Sequence, residues 1–318
     1  MDNWKQTHQP ALTIPGAPFS LMIVFGDMHT NSTRGVFPLK FERTEGTTIF
    51  ASREQETHLW TPWCRMWYDV GEFRRKYRHL LKRVIAVYNG DGVDRNNHDP
   101  EGYELLTPHR QEIVDIGEQV LNVAKPHVDV LICNRGTPAH VGPAGELDEM
   151  LARQLLDHHW PVLPPPKGTS LSQYWPELIF DQVKIQFGHA PGMRTTREHL
   201  RGQASNRKAF DMTAANDRMH KVKPQVIVYS HVHYPECSIQ HPIHVYYSPA
   251  WQLHTAYVHN LGISGKQEVV GAWWFLLSQG HYQADLWSYL PQFEESVWDG
   301  DSGSVDEAIA AYKVRAGF

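Results

Sequence analysis

The stretch Leu21-Met22-Ile23-Val24-Phe25-Gly26-Asp27-Met28-His29 joins five apolar residues to a glycine, then sets an acid and an imidazole two positions apart. A run this short, rich in β-branched and aromatic residues and closed by glycine, reads as a buried strand rather than a helix. Asp27 and His29 are therefore predicted at the carboxyl end of that strand. The same arrangement recurs along the chain. Val84-Ile85-Ala86-Val87-Tyr88 leads to Gly90-Asp91-Gly92-Val93-Asp94, and Val130-Leu131-Ile132-Cys133 leads to Asn134-Arg135-Gly136-Thr137-Pro138-Ala139-His140. Gly188-His189 follows a further run, and Val226-Ile227-Val228-Tyr229 leads to His231-Val232-His233.

The residue types point to a metal pair. Side chains at i and i+2 on an extended turn can face the same side and chelate one ion. A carboxylate fixed at a strand end, as Asp91 is here, can bridge two ions. Imidazole mixed with carboxylate suits Mn, Fe, Zn, Co or Ni better than Ca or Mg. Single matches of this kind are weak, because the chain carries 20 His and most need no metal. Five strand-end placements in succession are much harder to obtain by chance.

In this order, the five segments resemble the signature of the calcineurin-like metallophosphoesterases. The resemblance implies an α/β fold built as a two-sheet β-sandwich flanked by helices, with the metal site at the carboxyl ends of central strands. It implies two divalent transition-metal ions, with Mn first and Fe, Zn, Co or Ni as alternatives. Asp27, His29, Asp91 and His233 would hold one ion. Asp91 would bridge to a second held by His189, His231 and Asn134. Asp94 would orient an imidazole, although a turn-stabilising role explains it equally well. The third segment departs from the family pattern, which has Asn and His adjacent after a glycine. Either Asn134 or Thr137 falls in the ligand position, with Asn134 preferred. His140 then becomes the candidate general acid, against the alternative of a residue that caps the next helix. Arg135 and His98 are assigned to substrate binding, and His98 is the next candidate acid after His140. The Arg-Gly-Thr variant, with Ser248-Pro249-Ala250-Trp251-Gln252-Leu253, is similar to a group of phage and prophage phosphoesterases.

The activity implied is in-line hydrolysis of a phosphate ester, with His140 assisting departure of the alcohol. Phosphodiesters, in a nucleotide or nucleic acid, are placed ahead of a phosphomonoesterase acting on a small metabolite or phosphoprotein. The alternative outside enzymes is a phage-like scaffold or interaction protein that kept the fold and lost turnover.

The remaining sequence bounds this picture. The 318 residues, 41% hydrophobic and 20% charged, are those of a globular chain able to form one large domain. A net charge of −5 gives no global field for nucleic acid. Cys64, Cys133 and Cys237 are too few for a disulfide framework, so a cytoplasmic setting is expected. No apolar run approaches the roughly 18 residues of a membrane span, so no membrane partner is expected. Oligomeric state is left open. One domain is expected over 1–293, followed by an acidic tail over 294–318 with a terminal helix. Within the domain, 38–80 is an expected insertion, carrying Trp60, Trp63, Trp67, Tyr68 and Phe73 and then Arg74, Arg75, Lys76, Arg78, Lys82 and Arg83. It could wall the substrate site, but packing is the stronger reading of its aromatic stripe. Arg194, Arg197, Arg201, Arg207 and Lys208 could steer an anion or form a solvated helix face. Thr107-Pro108 is read as the start of a helix with Thr107 at the N-cap, and Leu147, Leu151 and Leu155 as the apolar face of another.

Overall fold

Each apolar run named above becomes a strand, and its successive side chains go to opposite layers. In the computed structural model, β1 (Phe19–Phe25), β4 (Leu81–Asn89) and β5 (Val130–Asn134) pair in parallel, and β12 (Val270–Ser278) adds to β1 antiparallel. With β6 (Ser172–Gln173) and β13 (His281–Tyr289) they form a six-stranded sheet of order β13-β12-β1-β4-β5-β6. A second sheet has the order β10-β11-β9-β8-β7, from β7 (Glu177–Phe180), β8 (Val183–Gly188), β9 (Val226–Tyr229), β10 (Glu236–Ser238) and β11 (His244–Tyr247). A small hairpin, β2 (Lys40–Glu42) with β3 (Thr48–Phe50), stands apart. The described residues are 8–95, 102–192, 203–260 and 268–292, with Glu307, Ala310, Lys313 and Val314. His98, Arg194, Arg197, Arg201 and most of the acidic tail lie outside them.

The two sheets face each other across one apolar layer. Met22, Val24, Ile85, Val87 and Ile132 from the first sheet meet Val183, Ile185, Phe187, Val226 and Val228 from the second, all buried. The alternate residues of the same strands, Leu21, Ile23, Phe25, Val84, Ala86 and Leu131, point the other way, into helices α2 (Thr61–Lys76), α3 (Arg110–Leu121) and α5 (Glu146–Asp157). Both faces are covered, which is why these strands are continuously hydrophobic rather than alternating. Full burial of each such side chain stabilises the fold by roughly 1.5–3 kcal/mol. The result is a two-sheet sandwich with helices on its outer faces.

The helices are short α1 (Arg53–Gln55), α2 (Thr61–Lys76), α3 (Arg110–Leu121), short α4 (Pro138–Val141), α5 (Glu146–Asp157), α6 (Gln203–Arg218) and α7 (Ala256–Asn260), with a π turn over Glu56–Trp60. No described helix is long and apolar enough to cross a membrane.

One sequence expectation changes here, and the aromatic stripe within segment 38–80 packs, the stronger of its two readings. Trp63, Met66, Trp67 and Val70 of α2, at i, i+3, i+4 and i+7, are buried against Phe25 and the sheet. Arg74 to Arg83 lie at the end of α2 and the start of β4, whereas Asp91 follows the end of that 9-residue strand. At about 3.3 Å per residue, the whole strand separates the basic run from the site. The helix expected from Thr107 instead starts at Arg110. Asn31 grips the Thr107 peptide on both sides, accepting from its N–H and donating to its carbonyl, and so holds it outside the helix.

Candidate metal centre

The parallel strands end together. β1, β4 and β5 of one sheet and β8 and β9 of the other deliver Asp27 and His29, Asp91 and Asp94, Asn134, His189, and His231 and His233 to one end of the sandwich. The hydrogen-bond ladder continues past β1 and β4: the N–H groups of Asp27, His29 and Thr30 donate to the carbonyls of Gly90, Asp91 and Gly92. The two turns are thereby locked in register. Asp27, His29, Asp91, His231 and His233 all have positive φ, between 43° and 72°. A non-glycine residue held there costs on the order of 1–3 kcal/mol, and the surrounding ladder over-determines it.

The side chains form three groups whose ligand atoms lie within 4.8 Å of one another: Asp27, His29 and His233; Asp91, His189 and His231; and His29, Asp94 and His140. In the first, Asp27 Oδ1 lies 3.3 Å from His233 Nε2, 3.7 Å from His189 Nε2 and 3.9 Å from His29 Nε2. In the second, His189 Nε2 is 2.7 Å from Asp91 Oδ2. Each acid accepts a backbone N–H at one oxygen. Asp27 Oδ2 accepts the His231 N–H at 2.8 Å, and Asp91 Oδ1 accepts the Thr137 N–H at 2.6 Å. Their other oxygens face the imidazoles.

The imidazoles are aimed from behind. Asp94, fully buried, presents Oδ2 3.2 Å from His29 Nδ1 and Oδ1 3.1 Å from His140 Nδ1. His189 Nδ1 lies 2.7 Å from the Asn89 carbonyl. With Nδ1 engaged, Nε2 is the nitrogen left to ligate or to exchange a proton. Burial and the neighbouring His140 charge outweigh Asp94 and lower the His29 pKa, which favours the neutral, ligating form. Burial pulls His189 down, but the Asp91 and Asp27 carboxylates outweigh it and push it up to about 10. Burial likewise opposes the Asp94 hydrogen bond at His140, and that bond with the Asp91 charge leaves its pKa raised. Burial would raise Asp27 too, yet the His233 and His189 charges pull it down to about 2.

The donor set fits a metal. Asp27 Oδ1, His29 Nε2 and Asn134 Oδ1 are buried and accept or donate no hydrogen bond. A buried polar atom without a hydrogen bond costs roughly 1–3 kcal/mol, and two of these, on Asp27 and His29, belong to one ligand group. Asn134, at the end of β5, donates its Nδ2 to Asn89 Oδ1 at 2.6 Å, which leaves its oxygen as the free end of the amide. Thr137 donates its hydroxyl to the Asp91 carboxylate instead, at 3.0 and 3.3 Å.

Arg135 is not in these groups. Its Nε donates to Ser172 Oγ at 2.8 Å and Nη1 to the Ala144 carbonyl at 3.0 Å, its Nη2 meets Ser170, and its guanidinium stacks on Tyr174. His140 lies within α4 and does not cap it; the N-cap is Thr137.

Sequence reasoning missed two supports. Asn89 joins both sheets, donating to Ser230 Oγ at 2.8 Å while holding Asn134 and His189. Its place just before Gly90 was readable, but its partners were not. Asp148, buried on α5, accepts the Tyr88 hydroxyl and the Gly136 N–H, the latter at 2.7 Å. An acid inside an amphipathic helix gave no signal.

No family model and no curated protein matches the chain. Among solved structures, it is similar to the sulfate thiohydrolase SoxB of Thermus thermophilus, at 10% identity over 96% of this chain and 62% of that one, with a TM-score of 0.41. It is also similar to a novel archaeal phosphodiesterase (8% identity, 84% of this chain and 99% of that one, TM-score 0.37). A Vps29 single mutant from Entamoeba histolytica matches at 7% identity over 85% of this chain and 99% of that one, with a TM-score of 0.35. The sheet order and the convergence of strand ends in the chain itself define its architecture as a two-sheet α/β sandwich with a histidine and carboxylate cluster at one end.

Proposed function

We propose that the chain is a metal-dependent phosphoesterase of the calcineurin-like kind. The reading is carried by one observation: two buried polar atoms without a hydrogen bond, Asp27 Oδ1 and His29 Nε2, belong to one ligand group with His233, and Asp91, His189 and His231 form a second. Asp27, His29 and His233 would hold one divalent ion, and His189, His231 and Asn134 the other, with Asp91 between them. Such a pair supplies charge neutralisation at the phosphate and a water of lowered pKa. The chain's own residues do the rest. Asp94 aims both His29 and His140 and keeps His140 protonated, so that His140 can give its Nε2 proton to the departing alkoxide. Arg135 braces the turn beyond Asn134 rather than binding phosphate. Tyr174 and Trp175, 48% and 47% exposed, lie beside Arg135 and Gly188, which adjoin Asn134 and His189 in sequence, and would take up the second organic group of a diester.

The test is turnover of bis(p-nitrophenyl) phosphate, p-nitrophenyl phosphate and an alkyl phosphodiester after loading with Mn. The diester should turn over faster than the monoester. His140→Ala should slow the alkyl ester on the order of 10²–10⁴-fold and the nitrophenyl diester much less, because nitrophenolate leaves without a proton. No turnover of any ester with the ions bound would leave a non-catalytic scaffold.

A further inference from the structure

The third strand-end turn holds a threonine whose hydroxyl is put to an unusual use. Thr137 is the N-cap of α4, the position where a threonine side chain ordinarily accepts from the first helical N–H groups. No such bond is made. The hydroxyl instead straddles the Asp91 carboxylate, 3.0 Å from Oδ2 and 3.3 Å from Oδ1, and the Thr137 N–H donates to Oδ1 at 2.6 Å. Gly136, one residue earlier, is packed so closely that a Cβ would lie 1.9 Å from Asp91 Oδ1. The turn is in turn anchored from beneath. Asp148 accepts the Gly136 N–H at 2.7 Å and the Tyr88 hydroxyl, and the Tyr88 oxygen accepts the Gly92 N–H at 2.7 Å. One buried side chain of α5 thus ties the Gly136 turn to the Gly92 turn on either side of Asp91.

We propose that Thr137 is a positioning residue: seated by Asp148, it clamps Asp91 through two donors so that Oδ2 is presented towards His189 for bridging two ions. The inference rests on the metal reading above. It gives the departure of this segment from the usual family pattern a use, since the residue that does not ligate sets the bridging ligand. A carboxylate held by a backbone donor at Oδ1 and by a hydroxyl that straddles both oxygens has fewer orientations to lose on binding, so the clamp acts on ion affinity before it acts on turnover.

The experiment is Mn affinity of the full-length protein, measured by chelator competition, for wild type, Thr137→Val, Thr137→Ser and Asp91→Asn. Thr137→Val keeps shape and backbone donor and deletes the hydroxyl. It should weaken binding roughly 10–100-fold, the usual cost of removing a partner of a ligand. Thr137→Ser should restore it, which a purely steric role would not require. Wild-type affinity in Thr137→Val, alongside lost binding in Asp91→Asn, would overturn the clamp and leave the site. Wild-type affinity in Asp91→Asn would overturn the metal reading and the clamp with it.

Discussion

Asp94→Asn is the perturbation whose consequences the geometry fixes most tightly. Asp94 is fully buried and serves two imidazoles at once, with Oδ1 3.1 Å from His140 Nδ1 and Oδ2 3.2 Å from His29 Nδ1. Asparagine has the same shape but one acceptor and one donor group. One imidazole keeps its Nδ1–H bond; the other meets an NH₂ and must move its proton to Nε2. If that residue is His29, the nitrogen that should ligate becomes a donor. In either orientation His140 loses the carboxylate that holds its pKa up against burial. A hydrogen bond to a charged group contributes about 1.5–3 kcal/mol, or roughly 10–100-fold in affinity or rate. Mn affinity and turnover of an alkyl phosphodiester should therefore both fall, while nitrophenyl diester turnover at saturating Mn falls less. Chelator competition and steady-state kinetics on the two esters read this out. Unchanged affinity together with unchanged turnover on both esters would refute the role of Asp94.

Gly136→Ala places a Cβ 1.9 Å from Asp91 Oδ1 and 2.3 Å from the Asp91 nitrogen, neither of which can swing away. Thermal unfolding should show a loss of about 1–3 kcal/mol, as for other overpacked sites, with weaker Mn binding; a wild-type melt would contradict the packing. In ion-free protein, His189 is held up to about 10 against an ordinary 6.5, so the folded state carries an extra proton between those values. That stabilisation is fully present below pH 6.5 and is lost as pH rises through 10, by up to about 1.4 kcal/mol per unit. Since ligation needs the neutral imidazole, loading releases the proton and Mn affinity should rise with pH across the same window; a pH-independent affinity would exclude it. Arg135→Ala should lower the melting temperature and leave KM for a small ester in place, because its donors face Ser172, Ser170 and Ala144. A raised KM without a stability change would make it a substrate residue.

What the sequence made legible was whatever repeats locally. A run such as Leu21 to Phe25 or Val226 to Tyr229 states its own strand, and the Asp or His that follows must sit at the strand's end. Which strand ends share a face depends on pairing, which the runs of the first sheet do not state, since both its faces are covered and they do not alternate. The rest depended on contacts between distant segments. Asp148 looks like any acid on the first turn of a helix, and only packing of α5 beneath the Gly136 turn gives it a partner. The left-handed backbone at Asp27, His29, Asp91, His231 and His233 has no compositional mark, because none is glycine. The basic run from Arg74 to Arg83 carries no local mark of its distance from the site, which the length of β4 sets. Helix α3 was placed too early because the local N-cap signal at Thr107 was overridden by Asn31, 76 residues away.

The central claim is that Asp91 joins two ions at the carboxyl ends of these strands, and metal stoichiometry tests it most directly. Elemental analysis of Mn-loaded wild type and Asp91→Asn, with circular dichroism to confirm the fold, should give two ions per wild-type chain and a collapse of metal content in the folded variant. Two ions retained by folded Asp91→Asn, or none bound by wild type, would contradict it.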